Sequence, residues 1–240
     1  LALVTVSGGG EGIGRATCVA LDKEGAKVIV ADIDDTKAEE TLKYLTGPGN
    51  CKVFLDVTKE DSVNEVFDLI CNKYKQPPQV IVNCAGILFY SPTFLEESLQ
   101  TMQLTFDVNF KGPYLVSKRG CKELIRLNLP GCIVNTCSIA SRAYPSFGSY
   151  GSSKAALICL TQAIAKEMGR YGIRCNAVSP GAVDTEMFGS IPEDVRNGNT
   201  SACPLGRVGN PQEVADLILF LASTKSSYMN GSVVDIHGGL

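Results

Sequence analysis

The 240 residues predict an α/β fold: a doubly wound parallel sheet of about seven strands with helices on both faces. Two observations predict it. Short apolar, β-branched runs alternate with longer amphipathic stretches along the whole chain. The apolar runs also lack the in–out alternation of a half-exposed sheet. Near-continuous apolarity implies burial on both faces, and that requires helices on each side.

Taken in order, the strands are expected at 1–6, 27–32, 51–56, 79–83, 132–137, 173–178 and 232–236. Helices fall between them at 12–24, 35–45, 60–74, 98–128, 150–169 and 211–222. Thr58 ahead of the third helix, and Pro211 with Glu213 at the last, are start signals. No repeat, low-complexity tract or linker divides the chain, so residues 1–240 read as one domain. Residues 186–210, rich in Pro, Gly and Asn, break the rhythm and read as a mobile insertion on the substrate side.

Composition narrows the function. A net charge of −3 offers no basic footprint for nucleic acid or an anionic membrane, and no apolar run is long enough to span a bilayer. The chain opens without an initiator Met and reads as trimmed, which would hide any targeting segment. Ten cysteines show no C-x-x-C pair or repeated spacing. Several, including Cys84, Cys132 and Cys159, fall in expected strands or helices, so they read as reduced, buried thiols of an intracellular protein rather than metal ligands. The single histidine, His237, lies three residues from the C-terminus and reads as a surface residue. Chemistry here has to proceed without histidine, and no metal site is expected.

Ligands of a doubly wound sheet bind at the carboxyl ends of its strands, so the residues just after each strand carry the information. The first strand runs into Ser7-Gly8-Gly9-Gly10-Glu11-Gly12-Ile13-Gly14 and then a helix. Glycines allow close backbone approach to a pyrophosphate, and the helix start offers free N–H groups: a Rossmann-type dinucleotide turn. The second strand ends at Asp32, where a carboxylate can accept from both ribose hydroxyls and repel a 2′-phosphate. Glu11 adds negative charge nearby, and both positions favour NAD over NADP. Asp56-Val57 ends the third strand, either against an adenine ring or as a plain turn into the next helix. Asn83-Cys84-Ala85-Gly86 forms a small-residue turn after the fourth.

Tyr150 and Lys154 stand at i and i+4 on one helix face, which brings an ammonium near a phenol. Tyr114 and Lys118 share that spacing, so spacing alone decides nothing. Context separates them: Tyr150 follows a strand ending at Ser138, whereas Tyr114 sits mid-helix and reads as a packing residue.

Over essentially its whole length the chain resembles the short-chain dehydrogenase/reductase family. The matching residues are Ser7-Gly8-x-x-x-Gly12-Ile13-Gly14, Asp32, Asp56, Asn83-Cys84-Ala85-Gly86, Asn109, Ser138, Tyr150-x-x-x-Lys154 and Pro180-Gly181-x-x-x-Thr185. The resemblance implies a catalytic tetrad of Asn109, Ser138, Tyr150 and Lys154, with Val183 and Thr185 near the nicotinamide amide. It departs at Ser7, where Thr is usual, at Cys84, and in a Ser138–Tyr150 gap of twelve residues, one short of the usual spacing.

The expected chemistry is hydride transfer with Tyr150 handling the proton. Bringing a phenol from about 10 to near 7 takes roughly 4 kcal/mol, which Lys154 and a positive nicotinamide are expected to supply. Ser138 would hold the substrate oxygen, and Asn109 a water linked to Lys154.

Several segments, including residues 77–86, 172–176, 231–234 and 238–240, are similar to the type 8 17β-hydroxysteroid dehydrogenase branch of the family. That similarity implies NAD-dependent oxidation of estradiol-like steroids. It also implies 3-ketoacyl thioester reduction in the mitochondrial matrix beside a second reductase subunit, in a homo- or heterotetramer built on helices 98–128 and 150–169. Phe188, Ile191, Val195 and Tyr144 are candidates to line a steroid cleft. Arg126, Arg170 and Arg174 are candidates to meet an acidic acyl carrier, or else plain solvated charges. A non-catalytic NAD-binding subunit on the same fold is the alternative from another class.

Overall fold

The computed structural model describes residues 1–6 and 12–240; Ser7, Gly8 and Glu11 of the glycine-rich turn lie outside the described residues. The strands are β1 (Ala2–Thr5), β2 (Val28–Asp32), β3 (Cys51–Phe54), β4 (Val80–Asn83), β5 (Gly131–Thr136), β6 (Ile173–Pro180) and β7 (Val233–Ile236). They form one parallel sheet in the order β3-β2-β1-β4-β5-β6-β7. The chain winds outward from β1 to β3, then returns to lay β4 on the other side of β1. That reversal leaves a crevice beyond the carboxyl ends of β1 and β4, where such sheets bind ligands.

Both faces are buried, as the unbroken apolar strands require. Leu3 stands in register with Ile29 and Ile81, and Ile81 with Ile133. This row packs with Phe67 and Ile70 of α3 (Glu60–Tyr74) and Leu124 of α5 (Gly112–Arg126), the fifth helix in chain order. One residue on, Val4, Val30, Val82 and Val134 face the opposite side. There they meet Cys18 and Leu21 of α1 (Ile13–Lys23) and Ile218 and Leu221 of α9 (Pro211–Ala222). Each fully buried side chain of this kind contributes roughly 1.5–3 kcal/mol.

The remaining helices are α2 (Asp35–Leu42), α4 (Leu99–Phe106), α6 (Gly148–Met168), α7 (Glu186–Gly189) and α8 (Glu193–Ala202). Asn210 and Glu213 close a capping box on α9, whereas Thr58 is spent on an Asp56-centred turn and does not cap α3.

One expectation needs correction. The stretch 98–128 is not one helix: α4 and α5 are separated by a π turn at Asp107–Lys111. Pro113 has no N–H to offer the Asn109 carbonyl, and the ladder slips so that Gly112 N–H bonds Asp107 O. The insertion at residues 186–210 folds the short helices α7 and α8. Pro192 with Glu193 and Asp194 supplies a helix start that the surrounding Gly and Asn residues obscure.

All ten cysteines are free, but Cys159 is exposed on α6 rather than buried. His237 is half-buried, accepting Gly239 N–H on Nδ1. No described helix is long and apolar enough to cross a membrane, and no cluster of metal-ligating side chains occurs among the described residues.

Candidate active site

A cavity of about 490 Å³ opens at the carboxyl edge of the sheet. Ser138 reaches it two residues beyond β5, where its Oγ accepts Ala140 N–H at 3.1 Å and caps a short 3-10 turn, Ile139–Arg142. Tyr150, third residue of α6, is 9% exposed, with the Ser138 hydroxyl near enough to favour its ionised form. Lys154 follows one turn later, 4% exposed, with Nζ 5.7 Å from the Tyr150 ring centre and donating to Thr136 O at 2.8 Å. The expected Ser138, Tyr150 and Lys154 therefore converge on one cavity wall.

Asn109 stands behind them, fully buried in the π turn. Its Oδ1 accepts Ile87 N–H at 2.8 Å, and its Nδ2 donates to Ile87 O at 2.9 Å and Ser153 Oγ at 3.2 Å. The side chain is thus spent on holding the segment after β4 against α6, and any water would have to meet the backbone carbonyl. A Cβ on Gly86 would lie 3.4 Å from both Asn109 Oδ1 and Lys154 Nζ, so this backbone runs close beside both side chains.

Burial pushes the Tyr150 phenol up to about 12, and only the Ser138 hydroxyl opposes it. Burial also lowers the Lys154 ammonium from its usual value. Lys154 aims its charge at a backbone carbonyl rather than at the phenol oxygen. The chain's own groups therefore keep Tyr150 protonated at neutral pH.

The residues expected to hold a dinucleotide divide into two sets. Gly12, Ile13, Gly14, Gly86, Pro180, Gly181, Val183 and Thr185 line the cavity together with Tyr150 and Lys154. Among the described residues the α1 helix has no side-chain cap and no acid in its first turn, so its N-terminus presents N–H groups and a positive dipole end suited to an anion. A Cβ on Gly14 would strike Val6 Cγ1 at 2.4 Å, so this glycine seats the helix on β1, while Gly12 faces open space. Asp32 lies beyond the cavity at the end of β2, 2% exposed. Its Oδ1 accepts Asp34 N–H at 2.9 Å, and its buried Oδ2 finds no partner among the described residues. A buried orphan oxygen at that place fits a ribose hydroxyl. Thr185 caps α7 through Phe188 N–H.

Four of the expected cofactor residues serve the scaffold as well or instead. Asp56 Oδ1 holds a turn by accepting from the Thr58 amide and hydroxyl, the plainer of the two readings for this residue. Val57 is buried and would touch a Cβ added at Gly112. Asn83 turns its amide away from the cavity to Ser117 Oγ and Asn135 Oδ1, pinning β4 to β5 and α5. Ala85 N–H bonds Thr5 Oγ1.

On the substrate side, Tyr144, Phe188 and Ile191 line the cavity as expected, whereas Val195 packs behind them. Leu88, Phe89, Phe147 and Met187 join them, unforeseen from the sequence although they lie close to the Asn83–Gly86 turn, Tyr150 and Thr185. Tyr114, expected to pack, is 43% exposed with Lys118 over its ring. The arginine candidates are misplaced. Arg126 ends α5 just before β5, Arg170 just precedes β6, and Arg174 near the start of β6 bonds the Leu221, Ser223 and Met229 carbonyls. All three stand at the amino edge of the sheet, opposite the cavity.

The packing of α6 gives a direct test. A Cβ on Gly151 would lie 2.6 Å from the Ala140 carbonyl oxygen, backbone that cannot swing aside. Gly151→Ala is expected to cost roughly 1–3 kcal/mol of stability by urea unfolding. A change within about 0.5 kcal/mol would show that α6 is not in close contact with the turn after Ser138.

Comparison with known proteins places this geometry. A family model described as enoyl-(acyl carrier protein) reductase matches residues 8–240. The chain is 38% identical over 250 residues to a Mus musculus protein named (3R)-3-hydroxyacyl-CoA dehydrogenase, covering 100% of this chain and 96% of that one. It is 37% identical over 238 residues to the 3-oxoacyl-(acyl-carrier-protein) reductase FabG of Thermotoga maritima, covering 98% and 96%. A solved structure described as ribose-5-phosphate isomerase from Brucella melitensis 16M superposes with a TM-score of 0.89 at 31% identity, covering 99% and 92%. Different activities are named on one fold, so the chemistry has to be read from the side chains.

Proposed function

The chain belongs to the short-chain dehydrogenase/reductase family, and from that premise we propose that it interconverts 3-hydroxyacyl and 3-ketoacyl thioesters with NAD(H). The observation that carries this reading is Ser138, Tyr150 and Lys154 converging on the wall of an otherwise largely apolar cavity. A bound nicotinamide supplies the hydride acceptor or donor at the substrate carbon. The N-terminus of α1 would hold its pyrophosphate, Asp32 its adenosine ribose, and Val183 and Thr185 its amide end. Ser138 would then hold the substrate oxygen by hydrogen bond while Tyr150 passes it a proton or removes one. Leu88, Phe89, Phe188 and Ile191 exclude water from that oxygen and receive an acyl chain.

The names of two relatives favour the thioester over the steroid, while the apolar lining suits either. Asp32, with its orphan oxygen and no Arg beside it on β2, favours NAD over NADP. Assembly through α4, α5 and α6 belongs to the same reading, with Leu99, Leu104 and Ile125 exposed on the first two. The test compares acetoacetyl-CoA reduction by NADH with estradiol oxidation by NAD⁺. We expect kcat/KM for the thioester to exceed that for the steroid by at least about tenfold, the worth of one well-made polar contact. Faster steroid turnover would reverse the substrate assignment, and turnover of neither would favour a binding subunit.

A further inference from the structure

The start of α6 is held by a side chain from a different part of the chain. Its N-cap residue is Phe147, which has no capping oxygen, and its first turn contains no acid. A helix start left so would strand several N–H groups and an uncompensated positive dipole end beside Tyr150. Glu97, from the turn ahead of α4 and 52 residues earlier, fills the place. Its carboxylate accepts Ser149 N–H at 3.2 Å on Oε2 and 3.4 Å on Oε1, and Oε1 also accepts the Ser149 hydroxyl. A Cβ on Gly148 would lie 3.2 Å from Glu97 Oε2, so glycine there leaves the carboxylate its room.

Neighbouring bonds fix both partners. Ser91 N–H bonds Ser146 O at 3.2 Å, and Ser146 Oγ donates to Pro92 O at 3.4 Å. Ser98, next to Glu97, caps α4 through Thr101 N–H. The turn between Ser138 and Tyr150 needs such anchoring. It is short, and it carries Ala143 at φ 69° and Ser146 at φ 66°, left-handed positions that residues with a Cβ reach only at a cost.

We infer that Glu97 is a positioning residue for Tyr150: its carboxylate caps α6 from a separate segment and fixes where the phenol meets Ser138. The inference rests on the reading of Tyr150 as the proton-handling group. Glu97 touches no reacting atom. It acts through Ser149, the residue before Tyr150.

The experiment measures acetoacetyl-CoA reduction by NADH for Glu97→Ala, Glu97→Gln and Tyr150→Phe, with NADH binding and thermal unfolding recorded for each. Glu97→Ala is expected to lower kcat roughly tenfold, the scale of a lost charged helix cap, with NADH affinity unchanged. The alkaline limb of its pH profile should move from the wild-type position, because both the Ser138 contact and the charge at the helix start beside the phenol change. Glu97→Gln, which keeps an acceptor oxygen, should recover most of the loss at the same assay pH. Wild-type kcat in Glu97→Ala beside an inactive Tyr150→Phe would overturn the inference and leave the reading of Tyr150 standing. An active Tyr150→Phe would overturn that reading itself. Equal losses in both Glu97 variants, tracking their melting temperatures with no movement of the pH limb, would mark Glu97 as structural only and overturn the inference.

Discussion

Tyr150→Phe is expected to lower kcat for 3-ketoacyl reduction by about a thousandfold while NADH binding stays within about twofold of the wild type. The magnitude lies within the 10²–10⁴ range typical of removing a positioned proton donor. The substitution removes one oxygen and keeps the ring, so the edge contact with Phe147, centroids 6.5 Å apart, should survive. What disappears is the hydroxyl beside Ser138. Stopped-flow single turnovers for the chemistry, with calorimetry for NADH binding, check the two halves separately. Retention of a tenth or more of wild-type kcat would remove Tyr150 from the proton path.

The same hydroxyl sets the pH dependence. Burial raises Tyr150 to about 12, so the protonated form, the one that donates to a ketone oxygen, prevails throughout the neutral range. Reduction should therefore be flat there and fall only on the alkaline side. Oxidation needs the phenolate, whose fraction grows as pH rises, so its rate should climb with pH. Bringing Tyr150 near neutrality takes more than the roughly 4 kcal/mol that an ordinary phenol needs. Lys154 is itself held below its usual pKa by burial, and one of its N–H groups is given to the Thr136 carbonyl. The positive charge that favours the phenolate is thus expected chiefly from the oxidised cofactor.

Where sequence reasoning succeeded, the signal was local. Strand ends are marked by short apolar runs giving way to Ser, Gly or Asp, and that placed Ser138 and Asp32 at the carboxyl edge of the sheet. The repeated Tyr-x-x-x-Lys spacing was resolved by the same rule, since Tyr114 follows no strand and proves exposed. The packing role expected of Tyr114 was still wrong, because position within a helix does not fix which face is buried. Of the two readings for the arginines, the carrier-facing one fails for want of direction along the helix, and solvated charges remain for Arg126 and Arg170. α5 and α6 run back from the site, so residues near their C-terminal ends, Arg126 and Arg170, land at the opposite edge. Glu97 could not be read at all. Its partner is 52 residues away, and nothing in an exposed turn between Phe94 and Leu99 announces a cap for a distant helix. The direction in which the chain alone shifts Tyr150 could not be read either, because spacing reports that Lys154 is near but not which oxygen its Nζ bonds.

Asp32→Asn is expected to weaken NADH binding about 10- to 100-fold, the worth of hydrogen bonds to a charged acceptor, and to erase most of the preference over NADPH. Asparagine keeps an oxygen for Asp34 N–H, so the turn after β2 should persist. It removes the charge and replaces the second acceptor with a donor at the buried Oδ2, which has no protein partner among the described residues. A ribose with both hydroxyls free loses its best acceptor, whereas a 2′-phosphate loses its repeller. A cation stands close by: Lys37 pulls on the Asp32 carboxyl and pairs with the exposed Glu186 at 3.7 Å. Once the aspartate charge is gone, Lys37 is placed to attend a phosphate, which should narrow the gap further. The chain contains no Trp, so calorimetric titration with each cofactor is the cleaner measurement. An unchanged NADH affinity would mean that the orphan oxygen faces no ribose, and the choice of NAD over NADP would then lose its structural basis.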